Sequence, residues 1–527
     1  MLVLLCNVRI ASAQGNSTDY PPGWNAEAVT PPMGWRSWNA FGNNIDDATF
    51  RTAVDAITAK IWTVAGHEDK ISLADAGYDR VGIDEGWENC SGTDPDHGLR
   101  QHDSAGFPMI NTDRFPDFKA LVDYGHAAGI KMGWYLNGCA CGEREERLLN
   151  YQGDVQRLHE FGFDAIKLDG CGAATNMTYY AELMAATGRT YEIENCHWGS
   201  CGADAWFHNP DGSSCPTESW CPFNHFRTSG DVSSALTSWF ENLQTTIKFQ
   251  DVNRPLSQPS CWSYPDMMEV GRIQGGTLEW SRAHFGAWCI VSAPLVLGLD
   301  LGDQATLASI VPFITNIEAI AINQAWAGHP GRLATQITTN TSALPIQVWV
   351  KPQPQGKLAV YVVNPTPSAY HVPDPLSCYT YLAGADKTTN NVCNGEYKID
   401  GPGITSPTSC ATLCLDDANC TAFVWALPST TDATQCRLSH TCVTPTSHLD
   451  NYDGYVRTPA VAGCGVQPPA KPAVVLIDFY VLGLDPSVTS ATVRDVWARK
   501  AVADATGGQL NVTVAPMDSA FVVLTPR

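Results

Sequence analysis

Phe163-Asp164-Ala165-Ile166-Lys167-Leu168-Asp169-Gly170-Cys171 is an apolar run that closes on a lysine, an aspartate and a glycine turn. Side chains alternate faces along a strand, so Lys167 and Asp169 share one face while Ile166 and Leu168 take the other. A cation and a carboxylate therefore stand together at a strand tip, where pockets form in sheets covered by helices. In that setting the lysine is expected to hold Asp169 ionised and nucleophilic at mildly acidic pH. A Lys-x-Asp strand end is far more often a plain ion pair or loop cap, so its meaning depends on the strands around it.

Outward from this stretch, from about residue 30 to about residue 330, short apolar runs alternate with helical patterns. Strands are predicted at Met33 to Trp38, Tyr78 to Asp84, Ile130 to Leu136, Phe163 to Asp169, Tyr191 to Asn195, His225 to Gly230, just before Asp266, and at Leu295 to Leu299. Helices are predicted between them, among others at Asp47 to Ala65, Phe115 to Ala128, Ala235 to Phe249 and Glu279 to Ile290. Eight strands in this order match an α/β fold of the closed (β/α)8 TIM barrel type, whose active sites gather at the carboxyl ends of the strands. The runner-up, a doubly wound open sheet, would want a Gly-rich phosphate loop after the first strand, and the chain has none there.

After Gly328-His329-Pro330 the pattern turns to alternating strands, as in Ile346 to Val350, Leu358 to Val363, Val474 to Tyr480, Leu510 to Val514 and Ala520 to Leu524, which reads as an antiparallel β-sandwich. Cys378, Cys393, Cys410, Cys414, Cys420, Cys436, Cys442 and Cys464 crowd a segment that splits it. Such density implies a small disulfide-rich module rather than a metal site, since paired Cys-x-x-Cys spacings are absent. The expected division is 1–25, an atypical or clipped signal peptide and N-terminal segment; 26–330, the catalytic barrel; 331–375 with 465–527, the sandwich; and 376–464, the cysteine-rich insert.

Of the 527 residues, 44% are hydrophobic and 16% charged, enough for more than one sizeable core. With 54 acidic against 32 basic residues the net charge is -22, which repels phosphate backbones and anionic lipid and argues against a nucleic-acid partner. Nineteen cysteines, and Asn-x-Ser/Thr acceptors at Asn16, Asn89, Asn176, Asn340, Asn419 and Asn511, point to a secreted or extracellular protein, or one of the secretory or lysosomal-vacuolar lumen. Past the N-terminus no apolar stretch reaches about 18 residues, so no membrane span is expected.

Polar residues cluster at the strand ends: Asp84-Glu85, Lys167 with Asp169, Arg227 with Asp231, and Asp266; Trp35, Trp38, Trp87, Trp134, Trp198 and Trp262 stand near them in sequence. Carboxylates bind hydroxyls in forked pairs and aromatic rings cover the apolar face of a pyranose, so the combination describes a sugar site; for any one tryptophan, core filling is as good a reading. Glycoside cleavage needs two carboxyl groups, and Asp169 and Asp231 are the best pair. Asp231, in a glycine-containing turn, is expected to have a modestly raised pKa that preserves a proton for donation. His225 and His284 read as core or supporting histidines, because no paired-histidine spacing accompanies them.

The phrases Thr30-Pro31-Pro32-Met33-Gly34-Trp35-Arg36-Ser37-Trp38-Asn39, Gly82-Ile83-Asp84-Glu85-Gly86-Trp87, Gly129-Ile130-Lys131-Met132-Gly133-Trp134-Tyr135, Lys167-Leu168-Asp169-Gly170-Cys171, Arg227-Thr228-Ser229-Gly230-Asp231, Pro265-Asp266-Met267 and Ser292-Ala293-Pro294-Leu295 resemble, in order, glycoside hydrolase family 27, the retaining α-galactosidases and α-N-acetylgalactosaminidases. The resemblance implies that Asp169 is the nucleophile and Asp231 the acid/base, that Trp38, Asp84, Glu85, Tyr135, Lys167, Cys171, Cys196, His197, Trp198, Arg227 and Asp266 line the sugar pocket, and that neither metal nor cofactor is needed. It also implies that Cys171 pairs with Cys139 or Cys141, with Cys141 the better fit to the family's spacing.

Three departures bear on specificity. Most relatives read two aspartates and a cysteine where this chain reads Asp84-Glu85-Gly86, so a usual disulfide partner is missing. Glu85 also carries one methylene more toward the place of the galactose C6 arm. β-L-arabinopyranose has the configuration of α-D-galactose without that arm, and an Asp-Glu pair resembles the version found in the family's β-L-arabinopyranosidases. His197 stands where relatives often have a glutamate and offers no small-residue pocket for an N-acetyl group, which disfavours the α-N-acetylgalactosaminidase reading. Tyr264 replaces an acidic residue before Pro265-Asp266. The expected activity is therefore a retaining exo-glycosidase acting on terminal α-D-galactosyl residues, with a β-L-arabinopyranosidase or a dual-specificity enzyme as the alternative and an inactive carbohydrate-binding protein as the reading from another class. The insert resembles an apple or PAN module through Cys410-Ala411-Thr412-Leu413-Cys414, Cys420-Thr421-Ala422-Phe423 and Cys436-Arg437-Leu438, with a polysaccharide or protein as its ligand.

Overall fold

The computed structural model describes residues 25–94, 98–196, 215–339, 344–366, 379–382, 397–399, 407–416, 420–426, 436–439, 452–457 and 471–527. The signal-peptide reading of 1–25 thus falls almost wholly outside the described residues.

All eight strands expected for the barrel form: β1 (Met33–Arg36), β2 (Arg80–Gly82), β3 (Lys131–Leu136), β4 (Ala165–Asp169), β5 (Glu192–Cys196), β6 (His225–Arg227), β7 (Trp262–Tyr264) and β8 (Leu295–Leu297). They run parallel in sequence order, with β8 returning to pair with β1. Between β7 and β8 the ring closes at one parallel bridge, Met268 to Leu297, just after Asp266. The register pairs Tyr135 with Lys167, Lys167 with Glu194 and Asp169 with Cys196, so one parity of every strand faces the barrel axis. The other parity, including Ile166 and Leu168, joins the apolar core beneath the helices.

Those helices include α1 (Asp47–Thr58), α2 (Phe118–Ala127), α3 (Leu148–Phe161), α4 (Met177–Ala186), α5 (Ser238–Thr245), α6 (Leu278–Ile290), α7 (Gln304–Ile314) and α8 (Ile317–Gln324). Phe50, Ala53, Val54 and Ile57 give α1 its buried stripe, and Asp46 caps it by accepting from the Thr49 amide. α1 stops short of the predicted Ala65: Ala59 is extended, and the chain turns to bridge Trp62 with Ile71. Among the described residues no single helix is long and apolar enough to cross a membrane.

The second unit comprises β9 (Arg332–Ile337), β10 (Ile346–Gln353), β11 (Lys357–Asn364), β12 (Ala473–Asp478), β13 (Ser490–Asp495), β14 (Lys500–Thr506), β15 (Gln509–Val514) and β16 (Asp518–Pro526), in the antiparallel order β9-β10-β11-β16-β13-β14-β15-β12. The sheet curls so that Ile346, Val348 and Val350 of β10 share a core with Val475 and Ile477 of β12 and with Leu510 and Val512 of β15. Strand alternation sends the other face of β11 (Ala359, Tyr361, Val363) into the barrel core. There Tyr361 donates to the Ala283 carbonyl of α6 at 2.6 Å. Gly286 permits this approach, since a Cβ at that position would lie 2.7 Å from the Tyr361 ring and 2.8 Å from that of Trp497.

Between β11 and β12 the described residues of the insert include a five-stranded sheet and the helix Pro407–Asp416, tied by the disulfides Cys410–Cys436 and Cys414–Cys420. Cys378, Cys393, Cys442 and Cys464 lie outside the described residues.

Candidate active site

The carboxyl ends of β2 to β7 converge on one cluster of charged side chains. Lys167 reaches from β4 to Asp84, with Nζ 2.8 Å from Oδ2 and both groups buried. Burial is the largest single influence and lowers the lysine pKa, but Asp84, with Cys196 and Asp169 behind it, outweighs that and the net shift is upward. Lys167 makes its direct ion pair with Asp84, while Asp169 on the same strand face also interacts favourably with its charge. Two residues along a strand span about 6.6 Å, so the lysine meets a carboxylate on a neighbouring loop more readily than one farther up its own strand.

Asp169 has its own supports. Tyr135 donates its hydroxyl to Oδ2 at 2.5 Å, the Gly170 amide donates to Oδ1 at 2.6 Å, and Asn137 Nδ2 holds its backbone carbonyl at 2.6 Å. Hydrogen bonds to a carboxylate favour its charged form. Tyr135 also lies under the Lys167 ammonium, 5.0 Å from ring centroid to Nζ, so lysine and nucleophile candidate are linked through one ring.

Glu85 is buried beside this pair and accepts from the Cys139 amide at 2.7 Å. Burial, reinforced by the charges of Asp84 and Asp169, outweighs that hydrogen bond and raises its pKa. Cys139 is in turn bonded to Cys171. The preference for Cys141 as the partner of Cys171 is thus overturned: Cys141 pairs with Cys90. Cys90, four residues beyond Gly86, supplies the partner whose loss the Asp84-Glu85-Gly86 phrase implied, because a bridge needs Cα atoms about 5–6 Å apart and not a fixed sequence position.

Across the barrel mouth, Arg227 Nη2 stands 2.9 Å from Asp231 Oδ1 and 3.0 Å from Asp266 Oδ2, while its Nη1 approaches Cys196 Sγ at 3.4 Å. Asp266 is held in the left-handed region at φ 82 by amide donations from Met267 and Val232, each at 2.8 Å. Such a conformation in a non-glycine residue costs of order 1 kcal/mol and is sustained here by those three partners. Burial raises the Asp266 pKa in spite of Arg227. For Asp231, whose side chain is 57% exposed, the expected upward shift is reversed: desolvation pushes up, but Arg227 and then Lys167 outweigh it and the net shift is downward. The larger cause is an arginine four residues back, whose reach into the same turn composition does not reveal.

Trp38 is half-buried on the single helical turn Trp38–Phe41 after β1. Trp35, Trp87, Trp134 and Trp262 are core: Trp134 stacks on Phe163 and meets Trp87 edge-on, so core filling is the right reading for them. His284 stacks on Trp239 in the core, and His225 lies on the barrel axis 3.2 Å from Glu194. His197 and Trp198 lie outside the described residues. Tyr264 is fully buried, edge-on to His225 and among the charges of Glu194, Asp266, Arg36 and Arg227.

Sequence reading missed Asn137, which at φ 57 bridges the β3 and β4 ends by accepting from the Ala174 amide as well as holding Asp169. It also missed Arg36 and Glu194, which lie on the same strand parity as Gly34 and Cys196; a period-2 count would have flagged them.

The family described as Alpha galactosidase A matches residues 30–325. An α-galactosidase of Cyamopsis tetragonoloba is 30% identical over 350 residues, covering 64% of this chain and 74% of that protein. Among solved structures, α-galactosidase I of Mortierella vinacea aligns over 95% of this chain and 98% of its own with a TM-score of 0.59 at 18% identity. A β-L-arabinopyranosidase of Geobacillus stearothermophilus aligns over 95% and 97% with a TM-score of 0.56 at 16% identity.

Proposed function

The chain belongs to the alpha galactosidase A family and is a glycoside hydrolase of the α-galactosidase type; from this premise we propose that it releases terminal non-reducing α-D-galactosyl residues by double displacement, with Asp169 as nucleophile and Asp231 as acid/base. Asp169 attacks the anomeric carbon while Asp231 protonates the departing oxygen, and Asp231 then takes a proton from the water that breaks the glycosyl ester. Two inversions leave the configuration unchanged. Because Arg227 lowers the Asp231 pKa in the free protein, the acid form gains when bound sugar excludes water from that carboxyl. Asp84, anchored by Lys167, is assigned to the sugar hydroxyls, Asp266 and Arg227 to the opposite wall, and Trp38 to the ring face.

The observation that carries this reading is the convergence of Tyr135, Asp169 and the Lys167–Asp84 pair with the Arg227–Asp231–Asp266 group at one end of the barrel. Wild type is expected to hydrolyse p-nitrophenyl α-D-galactopyranoside with retention, and Asp169→Asn to lose about 10⁴-fold in kcat. A wild type that binds galactose but turns over neither this glycoside nor its β-L-arabinopyranoside counterpart would overturn the enzyme reading.

Glu85 favours β-L-arabinopyranosides as a second substrate. Its carboxylate is buried and fixed on the Cys139 amide, beside the Asp84 end of the site. Glu85→Asp is expected to shift the kcat/KM ratio toward the galactoside by about 5- to 100-fold, the range that one methylene discriminates. For the insert the reading is an anchor to polysaccharide: its deletion should abolish binding to insoluble galactan and spare soluble-substrate turnover. Secretion is supported by the disulfides and by Asn511, which stands exposed on β15.

A further inference from the structure

The barrel axis carries a charged pair to which the proposed mechanism gives no part. Inward positions on β1 and β2 are Gly34, Arg36, Arg80 and Gly82, paired crosswise as Gly34 with Arg80 and Arg36 with Gly82. A Cβ on Gly34 would collide with the Arg80 side chain, and one on Gly82 would meet Arg36 Cζ and Nε at 3.8 Å. Gly34 therefore clears the space that Arg80 crosses, whereas at Gly82 a Cβ would only reach ordinary contact with Arg36. Arg36 spans the barrel: Nη2 lies 2.5 Å from Glu194 Oε2 on β5, and Nη1 lies 3.7 Å from Asp84 Oδ2, the oxygen that Lys167 holds at 2.8 Å. The other Asp84 oxygen accepts the Glu85 amide at 3.0 Å.

Glu194 is almost fully buried and also faces His225 Nε2 at 3.2 Å. Burial would raise its pKa, but Arg36 and His225 outweigh that and hold it as a carboxylate, while His225 itself is pushed down by burial. Glu194 is thus the counter-charge that lets a guanidinium sit under the pocket floor. A forked contact with two sugar hydroxyls requires the carboxylate plane of Asp84 to be fixed; the Glu85 amide and the Lys167 ammonium hold one oxygen each, and Arg36 adds a second cation, at ion-pair distance and from another strand, to the oxygen that Lys167 holds.

We propose that Arg36, pinned by Glu194, is a positioning residue that sets the orientation of the Asp84 carboxylate and thereby the affinity for the sugar. The inference rests on the assignment of Asp84 to the sugar pocket. It is tested with Arg36→Met and with Arg36→Met/Glu194→Gln, whose second change removes the carboxylate that the first leaves buried without its cation. Kinetics on the p-nitrophenyl galactoside and arabinopyranoside are read beside the melting temperature. The single variant is expected to melt lower than wild type and to raise KM about tenfold or more with less than about threefold change in kcat, the split that marks lost uniform binding. The double variant is expected to recover the melting temperature and keep the raised KM.

An unchanged KM in the single variant overturns the inference, as does a double variant in which KM returns together with the melting temperature, since the pair would then act only through the fold. If the single variant does not fold, the double variant decides by the same KM criterion. A wild type inactive on both glycosides overturns the proposed function and this inference with it, whereas an active wild type with an unmoved KM in the variants overturns the inference alone.

Discussion

His102 ties stability to pH. Its Nδ1 lies 3.0 Å from Glu143 Oε2 and its Nε2 2.9 Å from Asp154 Oδ1, and the residue is 4% exposed. Asn150 holds the other Glu143 oxygen at 2.7 Å, and Tyr180 donates to the other Asp154 oxygen at 2.7 Å. Burial opposes charging of the ring, but Asp154 and Glu143 outweigh it and push the pKa up to about 9. An unfolded histidine titrates near 6.5, so the native state holds the proton more tightly, by of order 3 kcal/mol. With the folded value above the unfolded one, this stabilisation is complete below about pH 6.5 and is lost as pH rises through about 9. The measurement is the melting temperature of wild type and His102→Gln at steps from pH 6 to pH 9.5. The gap between the two should be wide at pH 6 and should narrow steadily toward pH 9.5. Parallel curves would refute the clamp as a source of pH dependence. Glu143 follows Cys141, itself bonded to Cys90, on the loop whose Cys139 amide holds Glu85, so a rise in KM should precede global unfolding on the alkaline side.

Tyr135→Phe removes the hydroxyl that Asp169 Oδ2 accepts; a hydrogen bond to a charged group contributes about 1.5–3 kcal/mol, so kcat should fall about 10- to 100-fold with the fold intact by circular dichroism. Gly286→Val forces a branched side chain against Tyr361 and Trp497 where β11 meets α6, and should cost about 1–3 kcal/mol or more, read as a lower melting temperature with the two units loosened by limited proteolysis. Cys90→Ser opens the Cys90–Cys141 bridge, which closes a loop of 51 residues, and should cost about 2–4 kcal/mol by chemical denaturation under oxidising conditions and nothing under reducing ones.

The barrel was legible because its signal is local: Ile166 and Leu168 had to be buried and Lys167 and Asp169 had to share the opposite face, and each of the eight strands carried a comparable run. Pairings across strands were not legible. Lys167 meets Asp84 over 83 residues of sequence, and Cys141 meets Cys90 over 51, distances at which only the closed ring decides who is adjacent. The direction of the Asp231 shift turned on cations from two strands, Arg227 and Lys167, and the tryptophans that sequence placed near the sugar mostly belong to the core, because a ring's burial depends on strand parity and helix cover rather than on its distance from a motif. Arg36 escaped notice for the opposite reason: an isolated arginine in a strand looks like a surface residue until the closed ring turns it toward Glu194 across the barrel.

The insert's place in the chain dictates an order of events at the ribosome. β11 pairs with β16 from Leu358 against Leu524 to Asn364 against Asp518, yet the insert is translated between them. A nascent chain that has finished the barrel therefore carries Val360 and Val362 on a strand edge awaiting its neighbour for more than a hundred further codons, at a few to twenty residues per second. During that interval α6 already offers Gly286 as a landing place for β11, which makes the completed barrel the template on which the rest of the molecule is laid down.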